Sequence, residues 1–391
     1  MKKFVFYYPA SPNEKQTGGV KSTLNLIKGL QDKGLQTIFI SQHEGSLSQR
    51  LRMNNVDVEI INFPPVLDVY NKKGLQYSVC KKFEALKEVL KYNYKIIRYV
   101  NRHQVEGMWG RGIKSVLLIG FAARWLQKPL IWDIGLEQES RGWMRLFHLL
   151  GLGISQKIVT QARVQPREIF GKTTADLFNS KFVTIYPGIA DDRVVQLRRA
   201  VANDEKNEQT KNILCVGSVH PRKNQLMLLR AFVGVLRRFP EAQLRMAGSV
   251  RDEEYYQRLN SFAQSRGIED NVEFLGWRDD IPALLGSSDL MVLCSYREGV
   301  PHVIREAMFA EVPVVATSVG GVPEAVEEGK TGFLVAPDDV EALRARIEHL
   351  LARPEERKEM GRAGLTLAQK RFSKEAWLSK YRDLLLNING K

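Results

Sequence analysis

The chain of 391 residues is 44% hydrophobic and 26% charged, the composition of a soluble globular protein too long for one core, so two domains are expected. No run approaches the roughly 18 apolar residues of a membrane-crossing helix, the longest being residues 116–123, and Pro9 cuts the first apolar run far short of a secretory signal core. The net charge of +14 lies wholly in the first half, where residues 1–190 hold 28 Lys and Arg against 14 Asp and Glu, while residues 191–391 hold 30 against 30.

The chain opens with an apolar strand at residues 4–8, a loop over 11–19 containing Gly18 and Gly19, a helix over 20–33 and a strand over 36–41. Further strands are expected near 58–63, 107–109, 130–133 and 157–160, and strands alternating with helices predict a parallel sheet covered on both faces. Residues 182–186, followed by Pro187-Gly188, close this unit, which takes residues 1–190. Residues 191–211 are polar, lack a strand pattern and read as a linker. The second unit spans 212–371, with strands near 212–217, 244–247, 272–275, 290–294 and 314–317. The remainder, 372–391, carries an amphipathic helix near 374–386 that can cross back to the first unit. The expected architecture is α/β, with two doubly wound Rossmann-like domains facing across a cleft.

Within the first half the densest positive charge is Lys72, Lys73, Lys81, Lys82, Lys87, Lys91, Lys95, Arg98 and Arg102, interleaved with Tyr77, Phe83, Tyr92, Tyr94 and Tyr99. Such a basic, aromatic, helix-compatible stretch suits an anionic bilayer or an acidic ligand, or is a solvated helix face over an ordinary buried stripe. Nucleic acid is not expected, since no helix-turn-helix, zinc-finger or RNP-like motif is present. Residues 143–150, with Trp143, Met144, Leu146, Phe147, Leu149 and Leu150, read as core, with a membrane-dipping surface as the alternative. The three cysteines, Cys80, Cys215 and Cys294, form no Cys-x-x-Cys pair and imply a reducing compartment. His220 and His302 lack a ligand-like partner at useful spacing, so neither a metal nor a cofactor is expected.

The stretch Ser295 to Met308 carries the most chemistry. It places Glu298 on a Gly-Pro loop and Glu306 on the helix that follows, so both carboxylates can face one crevice at the carboxyl end of a strand. Carboxylates accept hydrogen bonds from hydroxyls, and a helix N-terminus favours an anion. A polyhydroxylated ligand bearing phosphate satisfies both features.

Five blocks in order, Val216-Gly217 with Pro221-Arg222-Lys223-Asn224, Val272 to Trp277, Ser288-Asp289-Leu290, Glu298 to Met308, and Pro313 to Thr317 with Gly320 to Glu324 and Gly332 to Val335, resemble the retaining nucleotide-sugar glycosyltransferases of family 4, also called glycosyl transferases group 1. The resemblance covers residues 212–340 strongly and the first half loosely, through Gly18-Gly19 and Trp132-Asp133. It implies the GT-B fold and transfer of a sugar from a nucleotide-sugar donor, UDP-linked, to a glycan or lipid-diphosphate-linked acceptor in surface polysaccharide or lipopolysaccharide assembly. That places the protein in the cytoplasm, at the inner face of the membrane, with a peripheral anionic contact through the basic first domain.

By position, the resemblance implies that Glu306 holds the donor ribose and Glu298 contacts the transferred sugar. Arg222, Lys223 and the amides of Gly299 and Val300 would neutralise the diphosphate. Gly18 and Gly19 would let the first loop approach it, and Gly276, Trp277 and Arg278 would meet the nucleobase. Asp133 is the candidate on the acceptor side, with Glu137 and Glu139 beside it. Two departures stand out: Ser218 occupies the place of a common arginine, and Trp132 that of the histidine in the usual His-Asp. A nucleotide-sugar epimerase of the same fold and a catalytically silent glycan-binding homologue remain alternatives.

Overall fold

The computed structural model describes residues 2–9, 18–62, 79–135, 143–203 and 210–388. The chain forms two compact units: residues 1–161, 165–187 and 377–391 make the first, and 162–164 with 188–376 the second.

The first unit is built on β1 (Lys3–Tyr7), α1 (Gly18–Asp32), β2 (Gln36–Ser41), α2 (Ser46–Met53), β3 (Asp57–Ile60), α3 (Val79–Arg102), β4 (Gly107–Arg111), α4 (Gly112–Trp125), β5 (Leu130–Asp133), α5 (Trp143–Ile154), β6 (Lys157–Thr160), α6 (Gln165–Phe170), α7 (Lys172–Leu177) and β7 (Phe182–Thr184). The strands form one parallel sheet in the order β3-β2-β1-β4-β5-β6-β7. Alternation along each strand feeds two cores. Val5, Tyr7, Met108 and Trp132 point to a face covered by α3, α4 and α5. Phe4, Phe6, Trp109 and Ile131 point to the other, covered by α1 and α2.

The second unit runs through α8 (Asp191–Asn203), β8 (Lys211–Val216), α9 (Gln225–Arg238), β9 (Ala242–Ala247), α10 (Glu253–Ser265), β10 (Val272–Gly276), α11 (Ile281–Gly286), β11 (Leu290–Leu293), α12 (His302–Phe309), β12 (Val314–Thr317), α13 (Val322–Ala325), β13 (Gly332–Val335), α14 (Val340–Ala352) and α15 (Pro354–Phe372). Its parallel sheet has the order β10-β9-β8-β11-β12-β13. Both units therefore carry the doubly wound α/β topology expected from the alternation of elements. Local signals set the helix starts: the Asp252 carboxylate accepts from the Tyr255 amide at 2.9 Å to cap α10, and Asp339 caps α14 through Ala342.

Two expectations need correction. The stretch read as a linker contains α8, which starts on Asp191 and Asp192, acids suited to a helix N-terminus. Leu197 is fully buried, and the helix packs on α11 and α12. The stretch read as core is largely open: Met144, Leu146, Leu149 and Leu150 are 40–51% exposed, because α5 turns His148, Gly151 and Leu152 inward instead.

The helix α16 (Lys374–Leu386) follows α15, and from Trp377 onward its residues belong to the first unit. Trp377, Leu378, Tyr381, Leu385 and Ile388 are buried in the core under β1 and β4. Leu378 presses on Gly29 of α1, where an added Cβ would lie 2.3 Å from a leucine methyl.

Candidate functional site

The second sheet changes direction between β8 and β11, with β9 and β10 to one side and β12 and β13 to the other. In an open parallel sheet this is where ligands bind, beyond the carboxyl ends of the strands. Two loops leave the sheet there. One runs from Gly217 through the tight turn Pro221–Lys223 into α9, and the other runs from Cys294 to Pro301 into α12. They are joined twice: the amide of Tyr296 donates to the Arg222 carbonyl at 2.9 Å, and Lys223 Nζ donates to Glu298 Oε1 at 2.5 Å. The Lys223 and Glu298 side chains are 16% and 11% exposed, so solvent screens the pair only weakly.

Glu298 is also fixed from behind. The Gly321 amide donates to its carbonyl at 3.2 Å. Gly320 adopts φ +51° there, and an added Cβ would lie 1.8 Å from the same carbonyl oxygen. Only glycine allows two backbones to meet this closely in a left-handed conformation. The amides of Gly299 and Val300 have no acceptor among the described residues, and α12 begins two residues later.

Glu306 lies one turn into α12 and is 7% exposed. Arg193 Nε of α8 donates to its Oε1 at 2.6 Å, and His302 Nδ1 lies 3.7 Å from its Oε2. Burial pushes the Glu306 carboxyl up, but hydrogen bonds and charge from His302 and Arg193 outweigh it and hold the group below the ordinary carboxylate value. Glu306 is thus an anchored anion suited to accepting hydroxyl hydrogen bonds.

A cavity of about 450 Å³ lies beside these loops. Ser218, Arg222, Lys223, Arg251, Trp277 and Arg278 are among its lining residues, and none of the lining side chains is a carboxylate. Trp277 is 72% exposed and offers a free ring face at the rim. Gly276, at φ +63°, gives its carbonyl to the Gly248 amide at 2.7 Å. Arg278 pairs with Asp280 at 2.5 Å across the surface. Glu298, Glu306, Gly299 and Val300 do not line this cavity, although Lys223 lines it and contacts Glu298. Cations, open amides, a poised carboxylate and an aromatic face form the complement of a phosphorylated, hydroxylated, ring-bearing ligand.

The candidates in the first unit fare differently. Gly18 and Gly19 form the first turn of α1, and residues 10–17 before them lie outside the described residues, as do Glu137 and Glu139. Asp133 is not available to a ligand: it is 2% exposed, its Oδ1 accepts from the Gly135 amide at 2.9 Å, and its Oδ2 accepts from Tyr381 Oη at 2.8 Å. Asp133 therefore fastens α16 to β5 instead of standing open on the acceptor side. Trp132, in the place of the expected histidine, is fully buried against His148 and Phe170. Sequence reasoning missed Arg193, which lies within the supposed linker, and Arg251, which has no motif to flag it. The acidic start of α8 was the available signal for Arg193.

Residues 198–366 match the family described as glycosyl transferases group 1. Among curated relatives, the N-acetyl-alpha-D-glucosaminyl L-malate synthase of Bacillus anthracis is 28% identical over 54% of this chain and 57% of its own length. A GDP-mannose-dependent alpha-(1-6)-phosphatidylinositol monomannoside mannosyltransferase of Mycolicibacterium smegmatis is 28% identical over 68% of this chain and 72% of its own. Among solved structures, Anabaena HepE in complex with UDP matches with a TM-score of 0.71 at 19% identity, over 99% of this chain and 100% of that one, a likeness of fold. The second unit of the chain thus resembles the glycosyl transferases group 1 family, and the whole chain has the GT-B fold.

Proposed function

We propose that this glycosyltransferase moves a sugar from a UDP-sugar to a glycan or lipid-diphosphate-linked glycan, with retention of anomeric configuration, in surface polysaccharide assembly at the cytoplasmic face of the membrane. The observation that carries the reading is the nearly buried Lys223–Glu298 pair joining the two loops at the change of strand direction. In this reading Arg222, Lys223 and the amides of Gly299 and Val300 take the donor diphosphate, Glu306 takes the ribose, and Glu298 takes the transferred sugar. As the bond from the anomeric carbon to the diphosphate oxygen breaks, these cations and amides stabilise the charge on the leaving group. The acceptor oxygen bonds the same face of that carbon, and its proton passes to a phosphate oxygen. The protein's contribution is positioning and electrostatics rather than acid-base chemistry.

Uridine suits the cavity chemically. Uracil presents two carbonyl acceptors, and Ser218, Arg251 and Arg278 bring hydroxyl and guanidinium donors to the lining. The relative from Mycolicibacterium smegmatis is named for a phosphatidylinositol mannoside, and the positive charge of the first half suits an anionic, lipid-linked acceptor of that general kind.

Proton NMR of the protein with UDP-, GDP- and ADP-sugars, following slow donor hydrolysis beside a Glu298→Ala control, tests the proposal. Turnover of a UDP-sugar with release of the retained anomer, lost in the control, is expected. Turnover of a GDP-sugar alone would overturn the choice of base, and conversion to an epimeric nucleotide sugar would overturn the reaction.

A further inference from the structure

The turn between β13 and α14 carries two adjacent acids, and each has a separate role. Asp339 caps α14 by accepting from the Ala342 amide at 2.9 Å. Asp338, one residue earlier, takes no part in that cap. It stands at φ +64°, a left-handed conformation that glycine adopts freely and that aspartate and asparagine tolerate better than other side chains. Its Oδ1 accepts twice, from Tyr296 Oη at 2.6 Å and from Asn224 Nδ2 at 3.0 Å. Asn224 is itself left-handed, at φ +50°, and is buried.

The two donors belong to the two loops of the candidate site. Asn224 directly follows Lys223, and Tyr296 precedes Glu298 by two residues. One carboxylate oxygen therefore bonds both loops at once, although it arrives from β13, which β12 separates from β11 at the edge of the sheet. Its base is firm: α14 packs on α9, and Leu343, Ile347 and Leu350 are fully buried in the core of the unit. The Tyr296 hydroxyl is pushed above its ordinary value, first by the hydrogen bond to Asp338, so it keeps the proton that it donates. Asp338 does not line the cavity beside these loops.

We infer that Asp338 is a positioning residue for sugar transfer, which fixes the separation of the Lys223 and Glu298 loops without meeting the ligand. The Lys223 and Glu298 side chains rotate about several bonds, so their ion pair can survive a range of loop separations. A short carboxylate that grips a planar amide and a rigid phenol cannot. The ion pair thus sets the charge between the loops, and Asp338 sets their distance. The backbone conformation agrees: glycine would relax this turn but has no carboxylate to offer, and a side chain is retained in a sparsely populated conformation where it has a task. This deepens the function proposed above and rests on that reading for the reaction that is positioned, whereas the tie between the loops is measurable without any donor.

The test compares wild type with Asp338→Gly, Asp338→Asn, Tyr296→Phe and the double variant Asp338→Gly/Tyr296→Phe. Each is followed by thermal unfolding, by hydrogen exchange in the peptide that contains Tyr296, whose amide bonds the Arg222 carbonyl, and by turnover of the UDP-sugar. Asp338→Gly removes the carboxylate but suits the left-handed backbone, so it should melt close to wild type. Exchange at the Tyr296 amide should speed up about tenfold as the loops part more often. For turnover, kcat should fall about tenfold while KM stays within about threefold, because the loops stabilise charge that develops as the donor bond breaks. Asp338→Asn keeps an acceptor oxygen in a residue that tolerates the same conformation and should recover most of the loss. The double variant should be no worse than Asp338→Gly alone, since both changes break the same contact. Unchanged exchange in Asp338→Gly, additive losses in the double variant, or a lower melting temperature with kcat intact would overturn the inference. If wild type turns over no donor, the proposed reaction fails by itself, and exchange across the four variants still decides whether Asp338 holds the loops.

Discussion

Glu306 draws its ionisation from two helices, and that makes a pH dependence predictable. Its carboxyl is held below the ordinary value, so the stability and ligand affinity it contributes are present above its unfolded value and are lost as pH falls through the lower folded one. In Arg193→Ala one of the opposing charges is gone, burial counts for more, and the carboxyl titrates at higher pH. Calorimetric titration with donor across the acidic range should show affinity lost at higher pH in the variant than in wild type. Superimposable profiles would mean that Arg193 does not set the state of Glu306. For Lys223→Ala we expect kcat to fall about 10²- to 10³-fold, with partial recovery in Lys223→Arg, read from donor turnover. Glu298, Glu306 and Lys223 were legible because each stands in an ordered set of motif blocks. Arg193 was not, because its meaning depends on a contact with α12 across more than a hundred residues, and Asp133 was misread because a carboxylate after a strand looks the same whether it meets substrate or a tyrosine from a distant helix.

Among the elements, the glycine turn before α13 acts as a backstop for the loop that bears Glu298. Gly320→Ala forces a Cβ against the Glu298 carbonyl and should move that loop by a fraction of an ångström or more, lowering kcat/KM about 100-fold in a chain that remains folded. Unchanged kinetics would show that the loop is positioned by its other contacts. At the other end of the chain, Tyr381→Phe keeps the ring but removes the donor to Asp133. An unpaired buried carboxyl oxygen costs about 1–3 kcal/mol, which should appear as an earlier denaturation of the first unit followed by the fluorescence of its tryptophans. The strands were readable from sequence because parallel strands buried on both faces are continuous apolar runs. The polar turn and acidic opening of α8 were read as linker for the opposite reason: a helix that buries one narrow stripe, with Leu197 at its centre, leaves most of its surface polar.

At the scale of the molecule, each unit has its own sheet and cores, but the first is discontinuous in sequence. Removing residues 377–391 would take five buried side chains from the core that contains Phe4, Phe6 and Trp109. At about 1.5–3 kcal/mol for each large apolar group, the loss matches the whole stability of an ordinary domain, roughly 5–15 kcal/mol. Hydrogen exchange on such a truncated chain should show β1, β2 and β4 unprotected while β8, β11 and β12 keep their protection; retained protection in β1 would show that α16 is dispensable. The repeated alternation of strand and helix made both units visible in the sequence, whereas the surface of α5 was not, since an apolar run is the same whether it is covered or left open.

The return of α16 also bears on how the protein is made. A ribosome adds about 5–20 residues per second, so on the order of ten to forty seconds separate the emergence of residue 187 from that of residue 377. Throughout that interval the first unit has its whole sheet but an unfilled core, while the second unit acquires its strands. The earlier-made unit is therefore finished later, its apolar residues open to chaperones in the meantime. A message broken anywhere before the codons of α16 would yield a chain whose first half cannot settle, leaving it open to proteolysis.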